Sequence, residues 1–215
     1  MVDDARRRGS TPPACDAGQA RKASVRILDL AYILGLGAGL GLVSAHWAVA
    51  GRPAVGKVEV GSWMAWPGSG SRDVDPYMRA YLARGVHLPL GAGEGLQLIA
   101  ARSDDGAPLD GRCRYRISGS VPTTRGWTLE VTDAAGRPFR LPLERASFTD
   151  AEVVRSEDGA LAIMAAAPPQ AGNWLPLPPE GRFQFRLRLY DTPVSGQTGE
   201  TRATNLPQIT RVDCR

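Results

Sequence analysis

Hydrophobic and polar residues alternate along three segments of the chain beyond Gly91. In CRYRISG, residues 113–119, the cysteine, tyrosine and isoleucine fall on one face and the arginines on the other, and WTLEVTD and FQFRLRLY repeat this spacing. A period of two is typical of antiparallel strands that pack on one side and face water on the other. The residues predicted to face inward are Cys113, Tyr115, Ile117, Trp127, Leu129, Val131, Phe183, Phe185, Leu187 and Leu189.

Tight turns separate these strands from shorter ones, which we predict at residues 95–102, 139–143 and 160–165. The turn signals are Asp105-Gly106, Asp110-Gly111, Asp133 to Gly136 and Asp158-Gly159. Asp-Gly is among the strongest short-range hairpin signals, because both residues tolerate the positive φ of a tight turn. This part of the chain therefore reads as a succession of hairpins.

One helix is predicted before the strands, over Pro76–Arg84. Asp75 is a good N-cap, Pro76 occupies the favoured first position, and Gly85 is a natural stop. A short helix followed by strands and tight turns predicts a mainly β fold, an antiparallel jelly-roll-like β-sandwich.

Residues 27–50, ILDLAYILGLGAGLGLVSAHWAVA, form a different kind of segment. No residue from Leu30 to Val43 is charged, and about 20 apolar residues are enough for a helix to cross a bilayer. An arginine-rich tail precedes this run, and the positive-inside rule places such a tail in the cytoplasm. The sequence thus predicts a single transmembrane helix with an exported C-terminal domain.

Two points about this helix stay open. Ala48-Val49-Ala50 has the small-x-small form of a signal-peptidase site, so the helix is either a cleaved signal or an uncleaved anchor. We favour the anchor, because the tail and the apolar run are both long for a signal. Small residues at i, i+4 spacing either allow a homodimer through close helix packing or reflect the abundance of glycine in membrane helices. They are Gly35, Gly37, Gly39 and Gly41.

These patterns divide the chain into four parts. They are a basic cytoplasmic tail (1–26), a transmembrane helix (27–50), a juxtamembrane linker (51–72) and an exported β-sandwich domain (73–215). Trp63 and Trp66 lie in the predicted linker and suit either the membrane interface or the core of the domain.

The cysteines divide between the two compartments. Cys15 lies in the tail and is expected to be a free thiol, whereas Cys113 and Cys214 are exported, where an oxidising environment favours a disulfide. Closing a loop of about 100 residues would stabilise the domain by roughly 4–5 kcal/mol in the chain-entropy treatment. A redox or metal role is the weaker alternative, because Cys113 stands in CRYR without a CxxC pair or a nearby histidine.

The stretch GNWLPLPPEGRFQFRLRLYDTP, residues 172–193, resembles the C-terminal hallmark of the bacterial domain of unknown function 1214. Four other pieces match that family in order: DPYMRAYLARGVHLPLGAGEG, DGAPLDGRCRYRISGSVP, GWTLEVTDAAGRP and LPQITRVDC. The resemblance covers about residues 73–214 and implies a jelly-roll domain. The chain resembles the short membrane-anchored form of that family, without the companion domain of unknown function 1254. It supports a bacterial inner-membrane protein with a periplasmic domain, and it brings no catalytic residues.

Within this hallmark the residues suggest structural roles. Asn173 can cap the loop backbone, and Trp174 is expected to seal the end of the core with its N–H bonded. Pro176 helps keep residues 175–180 extended, because proline cannot donate to a strand ladder. Tyr190 is predicted to face outward at the end of the strand.

Candidate chemistry is sparse. The two histidines are His46, at the end of the apolar run, and His87, for which a structural role and a functional one are both open. No HxH, HExxH, CxxC, GxSxG, P-loop or dinucleotide motif occurs, so neither a metal nor a cofactor is predicted. Carboxylates sit mainly in turns, where Asp bonds to nearby backbone. They are Glu94, Asp104, Asp105, Asp110, Asp133 and Asp191.

Arginines on two strands are the most unusual polar feature. If the strands are neighbours, the outward side chains form a basic stripe suited to phosphate, carboxylate or anionic glycan; otherwise they belong to a solvated face neutralised by acids such as Glu130. The arginines are Arg112, Arg114, Arg116, Arg186 and Arg188.

The net charge of +4 is mild, and an exported domain argues against nucleic acid. The prediction is a domain that binds an envelope protein or an anionic glycan. The alternative is an envelope enzyme acting on carbohydrate or lipid with carboxylates or His87.

Overall fold

The computed structural model describes residues 26–50, 55–84, 88–140, 145–157, 159–193 and 206–214. The predictions that concern Cys15, His87 and the turn at Asp158 fall outside these residues. The chain divides into two units, Met1–Val43 and Ser44–Arg215.

A long apolar helix, α1, spans Ile27–Ala50. Its part from Ile27 to Ala48 has a mean hydropathy of 1.8 and is long and apolar enough to cross a membrane. Twenty-four residues of helix extend about 36 Å, against about 30 Å for a hydrocarbon core. A membrane anchor and a signal sequence both have this character.

Ten strands are found in the described part of the chain. In chain order they are β1 (Val58–Val60), β2 (Trp63–Ala65), β3 (Gly95–Ala100), β4 (Cys113–Gly119), β5 (Gly126–Thr132), β6 (Ser147–Thr149), β7 (Leu161–Ala166), β8 (Asn173–Pro176), β9 (Gln184–Tyr190) and β10 (Gln208–Cys214). Helix α2, Pro76–Arg84, has the predicted bounds. Its cap is Asp75, whose Oδ1 accepts the N–H of Tyr77 at 2.9 Å and that of Met78 at 3.3 Å.

The strands form two sheets, as predicted for a mainly β sandwich. One sheet has the order β1-β2-β3-β9-β5-β6 and the other the order β10-β4-β7-β8. Every described pair is antiparallel except β7 with β8, which is parallel. The exception is possible because β8 is short and starts beside Ile163, so the six residues 167–172 suffice to carry the chain back.

The core lies between the two sheets and contains all the residues predicted to face inward. The side chains of Tyr115, Phe183 and Phe185 meet edge to face, with ring centroids 5.1 to 6.5 Å apart. Such aromatic contacts stabilise a core beyond the apolar area they bury. The disulfide joins Cys113 on β4 to Cys214 on β10, which face each other in the strand register.

The sheet begins earlier than the predicted start of the domain at residue 73. Strands β1 and β2, inside the predicted linker 51–72, form a hairpin with Gly61 at φ 57°, and β2 pairs with β3. Trp63 is 2% exposed and donates its indole N–H to Pro207 O at 2.7 Å. It therefore belongs to the core. The sequence suggests a short strand at residues 57–60, which matches β1, but β2 and the pairing of the hairpin have no clear signal because each strand is only three residues long.

Two smaller predictions differ from the structure. The strand predicted at 139–143 is absent at 139–140, and residues 141–144 are outside the described part of the chain. Strand β6 lies a few residues later and was not predicted, since three residues give no readable period.

Candidate functional site

The five candidate arginines do not form one stripe. Arg112, Arg114 and Arg116 lie beside or on β4 in the four-stranded sheet, whereas Arg186 and Arg188 lie on β9 in the six-stranded sheet. Strand β9 pairs with β3 and β5, and β4 pairs with β7 and β10. The alternation correctly gave the faces of each strand, but it carries no information on which strands are neighbours.

The two arginines of β9 are engaged with other residues of the domain. Arg186 is only 4% exposed and donates to Gly136 O at 3.1 Å, with Nη1 3.8 Å from Glu130 Oε2. Arg188 Nη1 lies 3.2 Å from the same oxygen, and its Nε donates to Gln97 Oε1 at 3.3 Å. The turn that contains Gly136 covers Arg186. These two side chains therefore belong to the outer face of the sheet, where they share one carboxylate, Glu130.

Two arginines near the start of β4 are also paired. Arg112 Nε lies 3.0 Å from Asp110 Oδ1, and this side-chain hydrogen bond is the main cause that lowers the pKa of Asp110. Arg114 bonds to Asp213 on β10, with Nε 2.6 Å from Oδ1. Both guanidinium groups are thus occupied.

Arg116 differs from the other four, because no carboxylate bonds to it among the described residues. It is exposed on the outer face of the four-stranded sheet, in register with Thr210 on β10 and with Met164 on β7. Met164 is in turn in register with Trp174 on β8. A row of four side chains thus crosses the whole sheet.

Trp174 does not seal the core as predicted. It shares the outer face of the sheet with Met164, is half-buried there, and donates its indole N–H to Ala166 O at 2.9 Å. The neighbouring Leu175 fills the inward position. The prediction that Trp174 lies in the core was wrong because a strand of only four residues after a loop does not show which of its side chains point inward.

A groove of about 450 Å³ lies beside this row of side chains. Its lining contains two arginines and no carboxylate: Arg116, Val154, Arg155, Ser156, Ala162, Ile163, Met164, Ala171, Gly172 and Asn173. Arg155 is exposed, and its Nη1 donates to Gly159 O at 3.3 Å. The groove, called here the Arg116–Arg155 groove, therefore has a net positive lining.

Asn173 fixes one wall of the groove. Its amide nitrogen donates to Val154 O at 2.7 Å and to Ala162 O at 2.9 Å, and its amide oxygen accepts the N–H of Val154 at 3.0 Å. The segment that carries Arg155 is thereby held against β7. Arg155 was not among the predicted site residues. It lies in an irregular segment between β6 and β7, where apolar and polar residues do not alternate in a way that would indicate its position.

The other residues of the hallmark have structural surroundings. Tyr190 lies in register between Gly95 and Gly126, so neither neighbouring strand places a side chain beside it. Pro176 is buried at the end of β8.

A larger groove, of about 790 Å³, lies between the β1–β2 turn and β10, and its lining includes Asp104. Asp104 accepts hydrogen bonds from the Ser62 hydroxyl and, at 2.8 Å, from the N–H of Ile209. Asp105, beside it, accepts from Ser103 Oγ at 2.5 Å and lies 2.6 Å from Arg211 Nη2. These carboxylates hold the loop to β10.

The remaining candidate carboxylates are also in local contacts. Asp133 accepts from Ala135 and Arg137 within its turn, Glu94 accepts the Gly91 N–H at 3.2 Å, and Asp191 lies 4.0 Å from an Arg125 nitrogen. No group of three or more His, Cys, Asp or Glu side chains suited to a metal occurs in the described part of the chain.

Two solved structures resemble this chain. The VPA0106 protein from Vibrio parahaemolyticus superposes with a TM-score of 0.55 at 19% identity, over 87% of this chain and 46% of its own. An uncharacterized protein from Burkholderia cenocepacia gives a TM-score of 0.42 at 19% identity, over 85% of this chain and 52% of its own. This chain spans about half the length of the structures it matches. The likeness to the Vibrio protein bears on the fold alone.

A comparison with curated proteins found no match. A family model described as "Protein of unknown function (DUF1214)" matches residues 94–194, the segment that runs from the start of β3 through the end of β9 and includes the GNWLP hallmark. This match confirms the resemblance to the DUF1214 family over residues 94–194.

Proposed function

We propose that this protein is a single-pass component of a bacterial inner membrane whose exported β-sandwich binds another envelope protein. In this proposal α1 is an uncleaved anchor, the tail before it is cytoplasmic, and the domain is periplasmic. The single observation that carries the binding role is the Arg116–Arg155 groove. The other four candidate arginines are already paired or buried, so among the five only Arg116, in this groove, has no carboxylate bonded to it in the described part of the chain.

The surroundings of the groove favour a protein partner. Met164, Trp174 and the exposed Val154 lie around the two arginines. Aromatic side chains, Met and Arg are enriched in protein interfaces, and a central cluster of such residues often carries most of the binding energy. A partner that presents a carboxylate to the arginines and apolar side chains to Met164 and Val154 would match this surface.

Crosslinking of the full-length anchored protein in cells tests the proposal. Arg116→Glu/Arg155→Glu reverses the charge of the groove and should reduce capture of the partner at least about tenfold, the effect of about 1.4 kcal/mol. Arg125→Glu/Arg140→Glu is the matched control, because both residues are exposed outside the groove and the change in net charge is the same. The control should capture the partner normally.

The result also distinguishes the classes of partner. A crosslinked product that contains a second polypeptide supports the proposal, whereas one that contains only glycan supports the anionic-glycan alternative. Capture that survives the groove variant shows that the groove is not the binding site.

Protease added to spheroplasts tests the proposed topology. Residues 51–215 should be degraded and the tail protected. A tail that is cleaved in intact spheroplasts, or a domain that stays protected under conditions that digest a periplasmic marker, contradicts it.

The enzyme alternative has no specific observation in its favour. Asp104, which lines the groove of about 790 Å³, accepts the backbone N–H of Ile209, and Glu59 in the same lining pairs with Lys57. His87 lies outside the described residues.

A further inference from the structure

The chain between the proposed anchor and the sandwich is short. Helix α1 ends at Ala50 and β1 begins at Val58, and residues 51–57 span at most about 25 Å even when fully extended. If α1 is the anchor of the proposed function, on which this inference rests, the first strand of the domain starts close to the lipid headgroups.

Large exposed hydrophobic side chains are concentrated in this connection and in the part of the domain that soon follows it. Val55 is 58% exposed, Tyr77 is 53% exposed and Leu88 is 85% exposed. In the rest of the described domain, only Val154 and Val212 are of this kind. Exposed apolar side chains that occur together are a common feature of protein and membrane contact sites.

Helix α2 organises this region. Met78 is its buried residue, and Tyr81, Leu82 and Pro89 join Met78 in a narrow seam against Gln97 and Ile99 on β3. Gln97 and Ile99 alternate with the core residues of β3, so α2 lies over the outer face of β3. The side of α2 away from the seam faces outward, and Leu88 stands next to Pro89.

The exposed side chains of α2 include a tyrosine, Tyr77, and both charged residues of the helix. Its charged residues are Arg79 and Arg84, both exposed, and the helix contains no acidic residue. Tyrosine is favoured at membrane–water interfaces, and long arginine side chains reach headgroups while their stems contact apolar surface. Basic residues close to a bilayer are attracted to anionic lipid.

We propose that this surface, formed by Val55, Tyr77, Arg79, Arg84 and Leu88 and called here the α2 surface, lies against the headgroups of the anionic bilayer that holds α1. The short connection brings this part of the domain to the membrane, and the apolar and basic side chains match its interface. The domain is thereby oriented on the bilayer instead of turning freely on a tether.

Fluorescence of the full chain in lipid vesicles tests this. In a Cys15→Ser background, Leu88→Cys carries an environment-sensitive dye, and Thr210→Cys, on the outer face of the four-stranded sheet, is the matched control. With phosphatidylglycerol present, the dye at residue 88 should shift to the blue and be quenched by spin-labelled lipid, while the dye at residue 210 should not. Arg79→Glu/Arg84→Glu, or vesicles of phosphatidylcholine alone, should reduce both effects.

A third label, on Gly39→Cys in α1, separates failure of the anchor from failure of this proposal. If the dye at residue 39 is in a lipid environment but the dye at residue 88 is in water, the proposed contact of the α2 surface is wrong, whereas α1 is still supported as a membrane anchor. If residue 39 also reports water, both are wrong. A blue shift at residue 88 without quenching by spin-labelled lipid, increasing with protein concentration, would show that a second copy of the chain covers the surface, and would overturn the proposal.

Discussion

Asp104 and Ile209 are joined by a reciprocal pair of hydrogen bonds. The backbone N–H of Asp104 donates to Ile209 O at 2.9 Å, and the N–H of Ile209 donates to Asp104 Oδ2 at 2.8 Å. Ile209 lies on β10, which pairs with β4 on its other side. An unpaired strand edge can template aggregation. Asp104 bonds to the backbone N–H and O of Ile209 and so covers the outer edge of β10 at this residue.

Asp104→Ala should lower the free energy of unfolding by about 1–2 kcal/mol, because the N–H of the buried Ile209 loses its acceptor. Urea denaturation of the domain measures the effect. Asp104→Asn keeps one oxygen and should cost less, and Glu157→Ala, at an exposed position, should stay within about 0.5 kcal/mol. Equal stability of Asp104→Ala and Glu157→Ala would contradict the prediction.

Phe185→Ala should lower the free energy of unfolding by about 3–5 kcal/mol, since it removes a fully buried ring that contacts Tyr115 and Phe183. Arg116→Ala provides an exposed control on the other sheet and should change stability little. A loss below about 1 kcal/mol for Phe185→Ala would show that the ring is not a core element.

Under the proposed periplasmic location, the disulfide between Cys113 and Cys214 should be found in protein prepared from the periplasm. Mass spectrometry of unreduced tryptic peptides should detect the two cysteines in one linked product. Removing the bond with Cys113→Ala/Cys214→Ala should cost about 2–5 kcal/mol. Two free thiols in periplasmic material would argue against the bond.

The stability of the domain should fall in acid, partly through Asp105. The hydrogen bond from Ser103 is the main cause that lowers the pKa of this carboxyl below its ordinary value of 3.8. A carboxyl whose pKa is depressed in the folded state contributes stability above its unfolded pKa and loses that contribution as the pH falls through the folded pKa. The urea midpoint should therefore decline as the pH is lowered below about 4.

Two variants separate Asp105 from the other acids. Asp105→Asn cannot titrate, and Ser103→Ala removes the main cause of the lowered pKa. Both should make the decline shallower and lower the midpoint near neutral pH. A decline that is identical in the wild type and in Asp105→Asn would assign the acid sensitivity to other groups, among them Asp110.

The inward faces of the long strands could be predicted from the sequence, because apolar and polar residues alternate along each of them. Phe185 and Leu187 are inward for this reason. The opposite face of β9 is less exposed than predicted, since Gln184 and Arg186 are buried as well. The arrangement of the strands could not be predicted in the same way. Nothing in the pattern of β4 or β9 says that β9 pairs with β3 and β5, so the sequence could not decide whether Arg116 and Arg186 share a face. They lie on different sheets.

The site was less predictable than the fold. Arg116 was a candidate from its position on β4. What distinguishes it from the other candidate arginines is that they are paired with acids, some of which are distant in sequence, such as Asp213 with Arg114. The position of Arg155 is set by an irregular segment, and the outward orientation of Trp174 is set by the parallel strand β8. Neither feature has a sequence signature.

The position of β9 between β3 and β5 has a kinetic consequence. Strand β3 ends at Ala100 and β5 ends at Thr132, yet the two are joined only through β9, which begins at Gln184. Closing such long loops costs entropy before any pairing is gained, and folds dominated by distant contacts form slowly. While the chain is being synthesised, the edges of β3 and β5 that pair with β9 would remain open to wrong partners until β9 has emerged. A holding chaperone would be most useful in that interval, and substitutions in β9 should slow folding more than equally destabilising ones in the β1–β2 hairpin.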